Sequence, residues 1–236
     1  MKSTVECCQN MAYKPDAPLL VANTCIGTLN VGHAGKHHYT EMQAVKLQCL
    51  ANWIALNISL HLQIMEMQKI ASTDYLTDIP NRREFNKFIY EKMHAYKNDK
   101  QVFYFGIMDV DRFKQLNDKY GHDAGDVVLK EISKQIVNTI PQSYFFARIG
   151  GEEFALITSS DLSSSSASNF YNAIRELISE IVIHYYNETI TFTASIGFTA
   201  ISDSDKHVDD IYTRADKALY CAKNTGRNKV EFLSCQ

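Results

Sequence analysis

Two acidic groupings could do chemistry in this sequence. Asp109 and Asp111 follow an apolar run, VFYFGIMDV over 102–110, that reads as a buried central strand. Residues two apart in extended chain share a side, so both carboxylates are expected to point the same way. A strand ending in carboxylates offers the hard oxygen ligands that Mg²⁺ requires. The second grouping is Gly150-Gly151-Glu152-Glu153, at the tip of a hairpin over about 144–158. If that hairpin lies beside the first strand, Asp109 and Glu152 can share one cation. Without a cation, like charges that close are costly. Gly150 and Gly151 carry no side chains, so a ligand is expected to lie against the backbone there.

Polar residues between and after these groupings extend the pattern. Lys114 places a cation beside the proposed metal, while Asn117 and Asp126 are candidates for reading a base. Guanine presents two donors, N1–H and N2–H₂, on one edge, and a carboxylate can accept both. Adenine presents an acceptor at N1 and would be repelled. Lys223 and Arg227, four apart around a turn glycine in KNTGRNK, can hold a triphosphate. Each of these residues alone reads as a solvated surface charge. All of them in one domain point to a metal–nucleotide site.

The surrounding chain must supply the scaffold. Its 236 residues suit one domain with an extension, or two small domains. With 45% hydrophobic and 22% charged residues it can build a core, which argues against global disorder. A net charge of −3 and the absence of a Lys/Arg block argue against a nucleic-acid partner. No run of about 18 apolar residues predicts a membrane span. The opening MKSTVECCQN lacks an apolar signal segment, and six cysteines without a C-x-x-C pairing fit reduced thiols in a cytoplasm. Cys7-Cys8 and the histidines His33, His37 and His38 in GHAGKHH read as ordinary surface features rather than metal sites.

A short β region is expected over 1–38, including LLVANTCIGTLNV (19–31). From Tyr39 to Ser72 there is no Gly or Pro, and Trp53, Leu56, Leu60, Ile64, Met67 and Ile70 recur near helical spacing. That predicts a connector helix over 39–72, about 45 Å long. Either it packs on its own domain or it forms an imperfect coiled-coil seam with a second copy, Gln63 interrupting the series. Over 73–236 the pattern gives a helix to about Lys97, the 102–110 strand, and a helix 124–139 with Val127, Val128, Ile132, Ile136 and Val137 inward. The hairpin follows, then a polar loop, a helix 167–183, one strand 189–201, a further helix and a last strand KVEFL. The fold class is therefore α/β (α+β): a mixed central sheet flanked by helices.

These residues resemble the GGDEF family of diguanylate cyclases, in its GGEEF variant. The match runs over about 72–235: DYLT (74–77), NRR (81–83), DVDRFKQLND (109–118), YGHDAGD (120–126), RIGGEEF (148–154), ASIGFT (194–199) and ADKALYCAKNTGRN (215–228). The resemblance implies a fold like polymerase palms and class III nucleotide cyclases. It implies condensation of two GTP into cyclic di-GMP with loss of two pyrophosphates, each domain of a homodimer holding one GTP. It implies Mg²⁺, or Mn²⁺ in its place, on Asp109, Glu152 and the carbonyl of Val110. Glu153 would lie near the 3′-hydroxyl and Lys114 near the phosphates, with backbone N–H groups around Phe113. Asn117, His122 and Asp126 would form the guanine pocket, and Lys223 and Arg227 would hold the distal phosphates.

One departure stands out. The family's R-x-x-D product-inhibition site falls on Pro141 and Tyr144, so product feedback there is expected to be absent. Residues 1–38, with IGTLNV, and the helix after them resemble the tail of a GAF sensor domain, well under half of one. That implies a fragment of a longer sensor or a dimerising remnant. Two rivals to an active cyclase are a catalytically silent GTP- or cyclic di-GMP-binding regulator and a cyclase making a mixed guanine–adenine product. No metal or tip residue is lost, which disfavours the first; Asp126 disfavours the second.

Overall fold

The structure is a computed structural model and describes residues 16–22, 24–31, 40–158 and 162–235. Cys7, Cys8, His33, His37 and His38 lie outside the described residues. The chain divides into two units, 1–69 and 70–236.

In the first unit β1 (Asp16–Val21) and β2 (Thr24–Asn30) form an antiparallel hairpin with a register shift between Leu19 and Leu20. The helix α1 (Glu41–Ser72) begins in this unit and ends in the second. Thr40 starts it with reciprocal bonds: its Oγ1 accepts from the Gln43 N–H, while Gln43 Oε1 accepts from the Thr40 N–H. The uninterrupted run of helix formers after it explains the length. Ala51 and Ala55 are fully buried, and Gln48 Nε2 donates to the Pro18 carbonyl of β1. The periodic series faces elsewhere: Trp53, Leu56, Leu60, Ile64 and Met67 are 43–71% exposed.

The second unit is built on a five-stranded mixed sheet, ordered β4 (Phe145–Arg148), β5 (Glu153–Ile157), β3 (Tyr104–Val110), β8 (Ala194–Ala200), β9 (Val230–Phe232). The α+β class is as the sequence predicts. Only β8 and β9 run parallel; the other neighbours are antiparallel. β3 is central and buried along its whole length, because helices cover both faces. Tyr104, Met108 and Val110 join the core under α4 (His122–Thr139) and α5 (Ser164–Glu180). Phe105 and Ile107 join the opposite core under α2 (Arg82–Asp99) and α6 (Val208–Asn224). Two glycines allow this closeness: a Cβ on Gly197 of β8 would come within 1.9 Å of the Leu219 backbone nitrogen of α6, and one on Gly106 within 2.5 Å of the Tyr171 ring.

Four local expectations need correction. In α4 the inward set is Ala124, Val128, Leu129, Ile132 and Ile136, whereas Val127 and Val137 are 36% and 50% exposed. The helix starts at His122 rather than 124, and its buried stripe runs at four-residue intervals through Ala124, Val128, Ile132 and Ile136, with Val127 and Val137 off it. A separate short helix, α3 (Phe113–Tyr120), precedes it across Gly121, whose φ of 89° suits glycine. The polar serine run is not all loop: Ser163 Oγ accepts from the Ser166 N–H and starts α5, which ends at Glu180 rather than 183. Finally, 189–201 is two strands. β7 (Glu188–Thr191) leaves the main sheet and pairs with β6 (Val182–Tyr185), and Thr193 at the break serves the site instead.

Candidate active site

β3 delivers Asp109 to the sheet's end, where it pairs across the ladder with Glu153 on one side and Ser195 on the other. One step on, the Val110 N–H donates to the Glu152 carbonyl at 3.3 Å. This antiparallel register brings strand end and hairpin tip together, the arrangement on which a cation shared by Asp109 and Glu152 depends. Asp109 is 7% exposed, and Lys223 Nζ sits 2.7 Å from its Oδ2. Burial pushes the Asp109 carboxyl up to about 6; the Lys223 bond opposes this, and the nearby charges of Glu152 and Glu153 add to it.

Asp111 does not share the role foreseen for the pair. Its carboxylate accepts from Thr193 Oγ1 at 2.6 Å, Ser195 Oγ at 2.7 Å and the Asn228 N–H at 2.9 Å. These three donors tie the turn after α6 to the β3–α3 corner.

The tip is held from behind. Arg148 Nε and Nη2 both donate to the Gly151 carbonyl, at 3.1 and 2.8 Å, and Nη1 donates to Asp74 Oδ1 at 2.8 Å. Burial would raise the Asp74 carboxyl, but the bonds from Thr77 and Arg148 outweigh it and hold it below its ordinary value. The Ile149 and Gly150 N–H groups close the tip on the Glu153 carbonyl. The two glycines differ. Gly151 has open space where a Cβ would stand. At Gly150 a Cβ would lie 2.6 Å from Glu153 Oε2, so that room is taken by the tip's own carboxylate.

Phe113 and Lys114 form the first turn of α3. Phe113 is buried in the core, whereas Lys114 is exposed. The N-cap residue, Arg112, offers no side-chain bond to this turn, so its N–H groups keep their capacity for an anion. Asn117 lies farther along α3. Its Oδ1 is buried without a hydrogen-bond partner, against Gly125, where a Cβ would come within 2.0 Å of it. His122 and Asp126 are exposed on the first turns of α4, beside that contact. Arg227 is exposed, with φ 63°, in the turn after α6. Lys223, expected to hold phosphate, stands on the metal-candidate carboxylate.

Arg148, Asp74 and Asp111 were not foreseen in these roles. Arg148 had a signal: a guanidinium inside the apolar run FFARI needs a buried partner.

The residues fit a hard divalent cation in part. Asp109 and Glu152 offer oxygen donors on adjoining strand ends. Among the described residues no three His, Cys, Asp or Glu groups gather as a ready-made metal site. A cation here would draw its remaining ligands from elsewhere, as a nucleotide's phosphates provide.

The sequence matches the model of the diguanylate cyclase GGDEF domain over residues 71–229, and the chain belongs to that family. Diguanylate cyclase A of Treponema denticola is 33% identical over 218 residues, covering 90% of this chain and 57% of the relative. DgcP of Pseudomonas aeruginosa is 32% identical over 171 residues, 72% of this chain and 25% of the relative. The chain thus spans about half, or a quarter, of the length of these curated relatives. Among solved structures, the coiled coil and GGDEF domain of DgcB from Caulobacter crescentus, in complex with c-di-GMP, superimposes with a TM-score of 0.74 at 27% identity. It covers 78% of this chain and 97% of that one. The active GGEEF domain of a Vibrio cholerae diguanylate cyclase gives 0.61 at 31% identity, covering 66% and 98%.

Proposed function

We propose that this chain is a diguanylate cyclase of the GGEEF variant, condensing two GTP into cyclic di-GMP and two pyrophosphates. The observation that carries the reading is the register joining Asp109 to the tip of β4–β5, with Lys223 against the same carboxylate. Asp109, Glu152 and the Val110 carbonyl would hold Mg²⁺ or Mn²⁺. Such an ion supplies charge neutralisation and lowers the pKa of the attacking hydroxyl. Glu153 receives the proton of the 3′-hydroxyl. The 3′-oxygen bonds to the α-phosphorus of the other GTP while the bond from that phosphorus to its bridging oxygen breaks. Pyrophosphate leaves with the electron pair. Lys114, the Phe113 turn, Lys223 and Arg227 meet the negative charge, and Asn117, His122 and Asp126 hold guanine.

One site holds one GTP, so turnover needs a second copy facing the first. The exposed series Trp53, Leu56, Leu60, Ile64 and Met67 on α1 supports a homodimer formed through the connector helix. DgcB, whose solved chain pairs a coiled coil with a GGDEF domain, offers a precedent. In this reading residues 1–38 and α1 are the GAF-like sensor remnant and its signalling helix, and 73–236 is the cyclase. The protein works in the cytoplasm; among the described residues no helix is long and apolar enough to cross a membrane. Product feedback at the R-x-x-D position is absent, because Tyr144 packs edge-on against Phe170 there, at 4.9 Å, and Pro141 replaces the arginine.

The test is Asp109→Ala. It removes a metal ligand and should abolish cyclic di-GMP formation while GTP binding persists. A near-native rate in that variant contradicts the site. Tight cyclic di-GMP binding by a Glu152→Ala, Glu153→Ala protein contradicts the absence of a product site.

A further inference from the structure

The β3–α3 corner holds a cation that the reading above does not use. Arg112 lies in the left-handed region, φ 56° and ψ 30°, a backbone conformation that side-chain-bearing residues adopt mainly where surrounding structure enforces it. Its guanidinium does not cap α3 and makes no hydrogen bond or ion pair among the described residues. It faces a cavity of about 590 Å³ between α3 and the turn after α6, lined also by Gln115, Lys119, Thr193 and Arg227. That volume is ordinary for a small-molecule site, which runs roughly 300–1,000 Å³.

Cations predominate in this cavity. Asp111 reaches its wall with its carboxylate bonded by Thr193, Ser195 and Asn228, against three cations, Arg112, Lys119 and Arg227. Lys119 donates to the Tyr120 hydroxyl at 2.6 Å. Arg112 and Arg227 remain as two guanidinium groups without anionic partners among the described residues. The Asn228 N–H bond to Asp111 holds the turn carrying Arg227 against the corner carrying Arg112. Two forked, permanently charged donors on segments tied together suit a phosphate group recognised through paired hydrogen bonds. Asp109, Glu152, Asn117 and Asp126 do not line the cavity; Arg227, already assigned to the distal phosphates, is the residue it shares with the nucleotide site.

We propose that Arg112 is a phosphate-binding residue. With Arg227 it holds the β- and γ-phosphates of the nucleotide, and then the pyrophosphate released from it. The assignment of the nucleotide rests on the cyclase reading; the anion site itself does not.

Calorimetric titration of pyrophosphate, GTP and GMP, each with Mg²⁺, into the full chain and into Arg112→Gly and Arg112→Lys tests this. Glycine removes the guanidinium and accepts φ 56° without strain, so folding, checked by thermal melting, should survive. Losing a charged hydrogen-bonding partner should weaken pyrophosphate and GTP about 10- to 100-fold in the glycine variant. GMP should be unaffected and lysine should restore part of the loss. A glycine variant that binds pyrophosphate and GTP as tightly as the parent overturns the inference and leaves the cyclase reading standing. Equal weakening of GMP overturns it too, because the effect is then not on the phosphates. If the parent holds pyrophosphate through Arg112 but does not bind GTP, the inference stands and the nucleotide reading falls.

Discussion

Lys223 Nζ stands 2.7 Å from Asp109 Oδ2, so the carboxylate expected to ligate a metal is held by a lysine expected to hold phosphate. A divalent ion on that carboxylate would stand beside the ammonium as a second cation, and a triphosphate bound with it would give Lys223 an anionic partner of its own.

The same carboxylate predicts a pH dependence. Burial raises Asp109 from 3.8 to about 6 in the folded protein. Between these values the folded state binds more protons than the unfolded one, so stability falls as pH rises. Relative to Asp109→Asn, the nucleotide-free protein should lose up to about 3 kcal/mol from pH 4 to pH 6 and then level off. Thermal unfolding of both proteins across this range checks it. A difference that is constant or grows with pH contradicts it.

Arg148 fastens the tip to Asp74 with both side chains largely buried, 11% and 17% exposed. Removing it leaves the Asp74 charge with only its Thr77 bonds and takes both guanidinium donors from the Gly151 carbonyl. Arg148→Ala should cost about 2–4 kcal/mol of stability and lower turnover with it. Melting curves and initial rates measure both; loss of neither would mean the latch does not shape the tip.

Asp126 is exposed on α4 and has no other task in the fold. Asp126→Ala should therefore leave the melting temperature nearly unchanged. It should weaken GTP recognition by about 1–3 kcal/mol, about 5- to 150-fold in KM. A stability loss with unchanged KM would move Asp126 out of the guanine pocket.

Leu60 is 54% exposed in the α1 series. If that series meets a second copy, Leu60→Asp buries a charge in the seam. The protein should then shift from dimer to monomer by light scattering and lose at least about tenfold in activity. An unchanged dimer would place the interface elsewhere.

Much of the fold could be read from local pattern. β3 announced itself as an unbroken apolar run, and α1 as a long stretch without Gly or Pro. The 189–201 segment misled because no Gly or Pro separates β7 from β8 and Thr and Ile recur in both; what separates them is Thr193 turning to bond Asp111, a tertiary demand. The α4 face was read correctly at Val128, Ile132 and Ile136 but not at Val127 and Val137, because apolar type alone does not separate the core stripe from its flanks. In the site, residue types pointed to Asp109, the tip and Lys223, but not to which groups they would already be bonded. Asp111 shows why. Its spacing is that of a metal ligand, and only its three donors, from β8, the residue before it and the turn after α6, reveal a structural task.

The central claim is settled most directly by incubating the purified chain with GTP and Mg²⁺ and resolving the products by chromatography, with its mass in solution measured alongside. The cyclase reading predicts cyclic di-GMP and two equivalents of pyrophosphate from a dimeric sample, and no mixed dinucleotide when ATP is added. GTP left unconverted by a demonstrably dimeric sample would contradict it and favour a silent nucleotide-binding regulator.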